Sequence, residues 1–240
     1  MRHLPAKDIY NELQSLPGPL FHSPSPVAAE GKIPRLQSEI ASLLVHPLLE
    51  AALHLLNHSL YAPHFLLRKM QNSRGGQHLH GVLHRVEGDY ENARIWYREA
   101  SGTETPPKEV TNREREEVFV EFWSKHTHLL QDEDENGQQD KAHRARAAAT
   151  AFIDRVQQMK EQSKGQVFDA GLRTPEREEL ERISKAELNT VAEWAGNTFG
   201  WGSWGEGDGE AKDASGAYTG NTKEQKEIFM KQMGEGIRKF

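Results

Sequence analysis

One stretch, from Gln77 to Ala100, constrains the fold more than any other part of this sequence; it reads QHLHGVLHRVEGDYENARIWYREA. Gly88 supplies a tight turn and Asp89 is expected to cap a following helix, so the stretch predicts a helical hairpin. Its second half fits a tetratricopeptide pattern, with Gly88 and Tyr90 at the turn and Ala93, Tyr97 and Ala100 at the spacings of packing residues. Where that repeat has apolar packing residues in its first helix, this chain has His80 and His84.

The first helix of this hairpin places two imidazoles and a carboxylate on one face. Each helical residue advances by about 100°, so His80, His84 and Glu87 lie within about 60° of one another. Such a set can bind a divalent metal, or one imidazole can act as an acid or base that Glu87 orients. The small Gly81 allows another backbone or a ligand to come close. The alternative is that these histidines are buried, hydrogen-bonded packing residues.

Further histidines precede the hairpin and extend the candidate site. Pro47 begins a helix predicted to run to Leu60, apolar almost all round and therefore central in the core. On it, His54 and His58 form a second pair four residues apart, and His64 follows on the next predicted helix. If the helices pack against each other, their histidines can converge. The candidate catalytic residues are thus His80, His84 and Glu87, and the candidate metal ligands are His80, His84, His64 and His58.

The run HGVLHRVEGDYENA, followed by IWYR, resembles the signature of a family of uncharacterised proteins in fungal and bacterial genomes. Members carry His-Gly, two apolar residues, His-Arg-x-Glu-Gly-Asp and an aromatic residue, then Asn-Ala and Trp-aromatic. An upstream histidine with an apolar stretch is also typical, and His64 followed by Phe-Leu-Leu is similar. The resemblance covers about residues 40 to 100. It implies a helical fold and no particular activity.

The remaining sequence predicts an all-α, single helical-bundle domain of at least six helices. Residues 72–76 are expected to be a flexible connection, and the acidic stretch 131–140 a solvated loop. No tetratricopeptide-like unit recurs, which argues against a repeat array. Apolar residues at helical spacing, with prolines or caps at several starts, predict these further helices: 5–16, from Pro34, Pro63 to about Met70, about Arg113 to Leu130, about Asp140 to Gln162, and Pro175 to about Gly196.

Proline and glycine content divide the chain into three parts. Residues 1–33 form an N-terminal arm, either laid across the core or disordered, interrupted by Pro17, Pro19, Pro24 and Pro26. Residues 34–196 form the helical domain. Residues 197–240 form a flexible tail with a possible terminal helix, since eight of the 25 residues from 196 to 220 are glycine. Phe199, Trp201 and Trp204 are candidates for pinning that tail to the domain.

Composition excludes several function classes. The chain has no cysteine, which removes disulfides, thiolate metal sites and cysteine nucleophiles. Its net charge of -6, without a long basic stripe, argues against a general nucleic-acid binder. No apolar run is long enough for a membrane span and no secretory signal is visible, so a cytoplasmic location is expected. Arg85 and Arg94 are interpreted as surface arginines, with contact to an anionic ligand as the alternative.

Two functions from different classes remain. The first is a metal-dependent or histidine acid/base enzyme acting on a small molecule, with a divalent metal as the possible cofactor. The second is a non-enzymatic helical module that contacts a protein partner. No nucleophile elbow, Walker loop, dinucleotide fingerprint or zinc-protease motif supports another enzyme class.

Overall fold

The computed structural model describes residues 5–21, 31–103, 118–130, 140–162 and 173–203. Within these ranges the chain contains nine α-helices, one short 3-10 helix and no β-strand, which confirms the predicted all-α helical bundle. The tetratricopeptide comparison stays a prediction. In chain order the helices are α1 (Ala6–Leu13), α2 (Pro34–Ser42), α3 (Pro47–Leu56), α4 (Tyr61–Leu67), α5 (Arg74–Glu87), α6 (Tyr90–Ser101), α7 (Val118–Trp123), the 3-10 helix Thr127–Leu129, α8 (Lys141–Gln162) and α9 (Pro175–Phe199).

Helix α3 is the central element, as its sequence predicts. All ten of its residues are buried, and it contacts α1, α2, α4, α5 and α9. Helices α5 and α6 form the predicted hairpin, joined at Gly88 in the left-handed conformation and capped by Asp89. Helix α8 packs against α6 and α7. A single cluster of buried apolar side chains joins these helices, and it positions α4, α5 and α6 side by side.

The predicted extension of α3 to Leu60 is wrong. The helix ends at Leu56, and Asn57 leaves the helical conformation with its side chain bonded to both the amide and the carbonyl of Ile33. The next residue, His58, has a positive φ of 60°. Because the backbone reverses at this point, His58 does not share a helix face with His54.

The predicted flexible connection at residues 72–76 is also wrong. Helix α5 already begins at Arg74, and the hydroxyl of Ser73 accepts the amide of Gly76 at 3.0 Å. A side chain on Gly76 would collide with the carbonyl of Met70. The glycine is therefore required by close backbone approach in the first turn of a helix rather than by loop flexibility.

Other helix boundaries shift by smaller amounts. Helix α4 begins at Tyr61 rather than Pro63 and ends at Leu67 rather than Met70. Helix α9 begins after the predicted Thr174 cap but continues past Gly196 to Phe199. The indole of Trp201 packs where a Cβ on Gly196 would stand, so this glycine makes room for the returning chain. The helix predicted from about residue 113 is described only from 118 onward, where a non-helical break precedes the 3-10 helix.

The described part of the N-terminal arm lies against the core. Ile9 and Leu13 of α1 are fully buried, and Leu20 is buried as well. The hydroxyl of Tyr10 donates to Glu193 on α9 at 2.8 Å. Residues 22–30, residues 131–139 and the tail from residue 204 onward lie outside the described residues. The predictions of a solvated acidic loop, of Trp204 pinning the tail and of a possible terminal helix fall in these ranges.

Two of the three aromatic residues expected to pin the tail are described, and both make contacts. Phe199 stacks on His46 with ring centroids 3.7 Å apart, and the Trp201 ring lies 5.2 Å from that of Tyr10. Across the described ranges, none of the helices combines the length and apolar character required to cross a lipid bilayer.

His46 makes stability depend on pH. Its Nδ1 accepts the amide of Leu48 at 3.2 Å, and burial lowers its pKa from 6.5 to about 3. The unfolded chain therefore binds a proton at this histidine near pH 6.5, whereas the folded chain does not bind it until about pH 3. The free energy of unfolding consequently decreases as the pH falls from 6.5 toward 3. Each pH unit in this window costs about 1.4 kcal/mol.

We expect His46→Asn, which retains a capping acceptor, to flatten this dependence. Lowering the pH from 6.5 to 4.5 decreases the free energy of unfolding of both proteins. We expect the decrease to be about 2–3 kcal/mol smaller in the variant than in the wild type. Urea titrations at both pH values measure the difference. The variant also loses the stack on Phe199, so its stability at pH 7 is compared separately. Equal pH slopes for the two proteins would show that His46 does not carry the effect.

Candidate metal centre

Three of the predicted histidines converge where α4, α5 and α6 meet. His64 comes from α4, and His80 and His84 come from α5. Each offers one ring nitrogen, and the three nitrogens lie within 4.8 Å of one another. In the described part of the chain, this is the group of histidine or carboxylate ligands found close enough to hold a metal ion.

Aromatic packing fixes the orientation of two of the rings. His80 and His84, one helical turn apart, are stacked with centroids 4.9 Å apart and 16° between their planes. The indole of Trp96 on α6 also stacks on His80, at 4.1 Å and 19°. His64 meets His80 and His84 edge-on, at 5.4 and 5.5 Å. His80 is thus held by rings on two sides, and His64 approaches from the neighbouring helix.

Glu87 stands beside the imidazoles, as the helical spacing predicts. One of its carboxylate oxygens lies 3.0 Å from His84 Nδ1, and the other lies 3.9 Å from His64 Nδ1. Asn92 directs its side-chain amide toward His84 Nε2 at 3.3 Å. With Nδ1–H donating to Glu87, Nε2 of His84 carries the lone pair that a metal requires. A metal at Nε2 would take the place of the long Asn92 contact.

Burial and nearby charge favour the neutral form of His80 and His64. His80 is only 3% exposed, and its Nδ1 has no hydrogen-bond partner. Burial, with smaller contributions from the charges of the neighbouring His84, His64 and Arg68, lowers the pKa of His80 to about 3. Burial also lowers the pKa of His64. Neutral rings at pH 7 have lone pairs available for a metal.

The group opens to solvent on one side. The side chains of His64 and Glu87 are 28% and 33% exposed, whereas His80 closes the group from within. A small molecule can therefore approach from the His64–Glu87 side. The arrangement combines a buried ligand, an oriented ligand and an accessible edge.

His58, predicted as a metal ligand, is not part of the group. Its Nε2 lies 2.8 Å from the carbonyl oxygen of Pro17, because the end of α3 at Leu56 turns it toward the N-terminal arm. His54 is also outside the group. It is fully buried, with Nε2 3.8 Å from the carboxylate of Glu50 one turn earlier on α3.

Gly81 is small for a packing reason. A Cβ on Gly81 would overlap the edge of the Tyr97 ring on α6. The backbone of α5 therefore lies directly against this ring, and the expected close approach comes from the partner helix of the hairpin. This spacing also brings Trp96 within stacking distance of His80.

A second polar cluster, fully buried, was missed in the sequence. Glu187 on α9 accepts hydrogen bonds from the Tyr97 hydroxyl at 2.6 Å, from His78 Nε2 at 2.9 Å and from Arg85 at 2.9 Å. Arg85 also donates to Ser184 at 3.2 Å. Burial alone would raise the pKa of Glu187, but the charge of Arg85 and the bonds from His78 and Tyr97 bring it below its ordinary value.

The interpretation of Arg85 as a surface residue is therefore wrong, because its guanidinium is fully buried against Glu187. Arg94, in contrast, forms the predicted kind of surface ion pair, with Asp154 at 2.6 Å. The sequence does indicate that His78 and Arg85 share one face of α5, because they are seven residues apart. It does not indicate their partner Glu187, which lies more than a hundred residues away.

No protein-family model matches this chain, and no curated protein or solved structure shows a significant similarity to it. The resemblance of residues 40 to 100 to an uncharacterised family stays a prediction. The chemistry of the histidine group is therefore inferred from its geometry alone.

Proposed function

We propose that this protein binds one divalent metal ion through His64, His80 and His84 and uses it in a reaction on a small molecule. The observation that carries the proposal is the convergence of three ring nitrogens within 4.8 Å, one of them on a buried ring with an unpaired Nδ1. Three protein nitrogens with a fourth position left to water are typical of catalytic zinc. Zinc, or a metal with similar preference for imidazole, is the best candidate.

The ligand distances require a small contraction on binding. Nitrogens about 2.0–2.1 Å from a tetrahedral zinc lie roughly 3.3 Å from one another. His80 is fixed between Trp96 and His84, so His64, on the accessible edge, is the ligand expected to move. The stacked ring of His84 must also tilt, because an imidazole lone pair lies in its ring plane and the rings of His80 and His84 are only 16° from parallel.

Glu87 has two compatible roles in such a site. Its bond to His84 Nδ1 orients the ring and increases the basicity of the other nitrogen. Its partial exposure beside His64 also allows it to accept a proton from a metal-bound water. The metal would lower the pKa of that water and polarise a carbonyl or phosphoryl oxygen of the substrate. The proposed reaction class is therefore hydrolysis or hydration.

A metal-free acid/base function is the second candidate within the same site. His84 and Glu87, 3.0 Å apart, form a base and the carboxylate that orients it. The non-enzymatic alternative is a protein-interaction module. The observation in its support is the pair of exposed rings of Tyr61 and Phe65 on α4, which pack edge-to-face at 5.1 Å. Metal binding separates the first proposal from both.

The test is metal analysis of the full chain, stripped with a chelator and dialysed against zinc at pH 7.5. We expect about one zinc per chain by elemental analysis, and its loss in a His80→Gln, His84→Gln double variant. The variant should retain its helix content by circular dichroism. A His128→Gln, His143→Gln variant, in which both exposed side chains lie outside the group, is the matched control and should bind zinc normally.

The pH dependence of occupancy gives a second readout. Because the pKa values of His80 and His64 lie below 6.5, protons should compete with zinc only below about pH 6. A wild-type chain without zinc at pH 7.5, or a double variant that still binds it, would contradict the proposal.

A further inference from the structure

An exposed cation stands next to the histidine group. Arg68 follows α4 directly and keeps helical angles, with φ -58° and ψ -24°, and its amide donates to the His64 carbonyl at 3.1 Å. Residues four apart on a helix lie on the same face. The Arg68 side chain therefore leaves α4 on the side that carries His64, and it is exposed to solvent.

Arg68 is close enough for its charge to act on two of the three imidazoles, those of His64 and His80. With neutral imidazoles, a divalent ion, Arg68 and the opposing carboxylate of Glu87, the loaded group carries a net charge of about +2. An anion is the ligand that such a group attracts.

We propose that the substrate of this metal site is a small oxyanion, a carboxylate or phosphate compound, whose charged group binds Arg68 while one oxygen reaches the metal. The inference rests on the proposed metal function and names its substrate class. A guanidinium presents parallel N–H donors that match two oxygens of a carboxylate or phosphate. Arg68 is thus a specificity-determining residue rather than a metal ligand.

The neighbouring Lys69 provides a matched comparison. It is also exposed and also cationic, but one residue further along the chain its side chain points about 100° away around the helix axis. Removing either charge changes the net charge of the protein equally. A site-specific effect should therefore appear for Arg68 and be absent for Lys69.

The experiment uses the full chain loaded with cobalt(II), whose visible absorption reports its coordination. Phosphate and acetate are titrated separately at constant ionic strength, and cobalt content is measured in every protein. We expect Arg68→Gln to raise the dissociation constant for the preferred anion about tenfold or more. Lys69→Gln should leave it within about twofold, and Arg68→Lys should be intermediate, because it retains the charge without the paired donors.

The outcomes separate the two proposals. Stronger binding of phosphate than acetate assigns the substrate to phosphate compounds, and the reverse assigns it to carboxylates. If Arg68→Gln binds cobalt fully and both anions as tightly as the wild type, the anion site is overturned and the metal site stands. If wild-type protein does not bind cobalt, the metal function fails and the substrate inference fails with it.

Discussion

Glu187→Gln is expected to reduce the free energy of unfolding by about 3–5 kcal/mol, although it changes neither the size nor the shape of the side chain. The reason is that Arg85 is left as an uncompensated charge in the interior, where both residues of the pair are fully buried. The amide also presents N–H donors to a place where Tyr97, His78 and Arg85 already donate. Urea unfolding at pH 7 measures the loss.

A double variant distinguishes charge pairing from other causes. Adding Arg85→Met to Glu187→Gln removes the stranded charge, so the double variant should be more stable than the single one. Glu178→Ala, on an exposed turn of the same helix, should change stability by no more than about 0.5 kcal/mol. If Arg85→Met further destabilises Glu187→Gln, the charge pair is not the source of the loss.

Gly81→Ala is expected to cost about 1–3 kcal/mol, despite the higher helix propensity of alanine. The added methyl group would overlap the ring of Tyr97, which is fully buried and held by Glu187 through its hydroxyl. The ring cannot easily move, so α5 and α6 must separate. That separation also pulls Trp96 away from His80, and we expect metal affinity to fall together with stability.

Gly75→Ala is the control within the same helix. There an added Cβ meets the end of the flexible Leu48 side chain at 2.8 Å, which can rotate away. Its effect should be close to neutral, and thermal unfolding followed by circular dichroism compares the two variants. Equal effects at Gly75 and Gly81 would show that the hairpin contact is not as tight as its geometry indicates.

Local spacing accounts for the part of the site that the sequence predicted. His80, His84 and Glu87 belong to one helix, so a count of 100° per residue was enough to place them together. His64 was predicted from its order in the chain, and the packing of α4 on α5 brought it in. The prediction of His58 as a ligand was wrong because α3 ends at Leu56, where the Asn57 side chain bonds to Ile33. Helical periodicity in the sequence does not indicate where such an end falls.

Long-range pairing accounts for what the sequence did not predict. A buried arginine and a surface arginine look alike in a sequence when the partner is distant, and Glu187 lies 102 positions after Arg85. The structural role of a glycine is also ambiguous in a sequence. Gly76 allows a close backbone contact within a helix, whereas the nearby Asn72 and Ser73 indicate a loop.

The contact of the N-terminal arm with α9 has a consequence for the order of folding. The Ser184 hydroxyl donates to the Pro19 carbonyl across 165 positions, and Tyr10 donates to Glu193 across 183. During synthesis these contacts cannot form until Ser184 and Glu193 have left the ribosome. Contacts between distant positions also carry the largest loop-closure entropy and slow folding. Helices α4 to α6, in contrast, span about 40 consecutive residues, so the histidine group can assemble while the two ends of the domain are still apart.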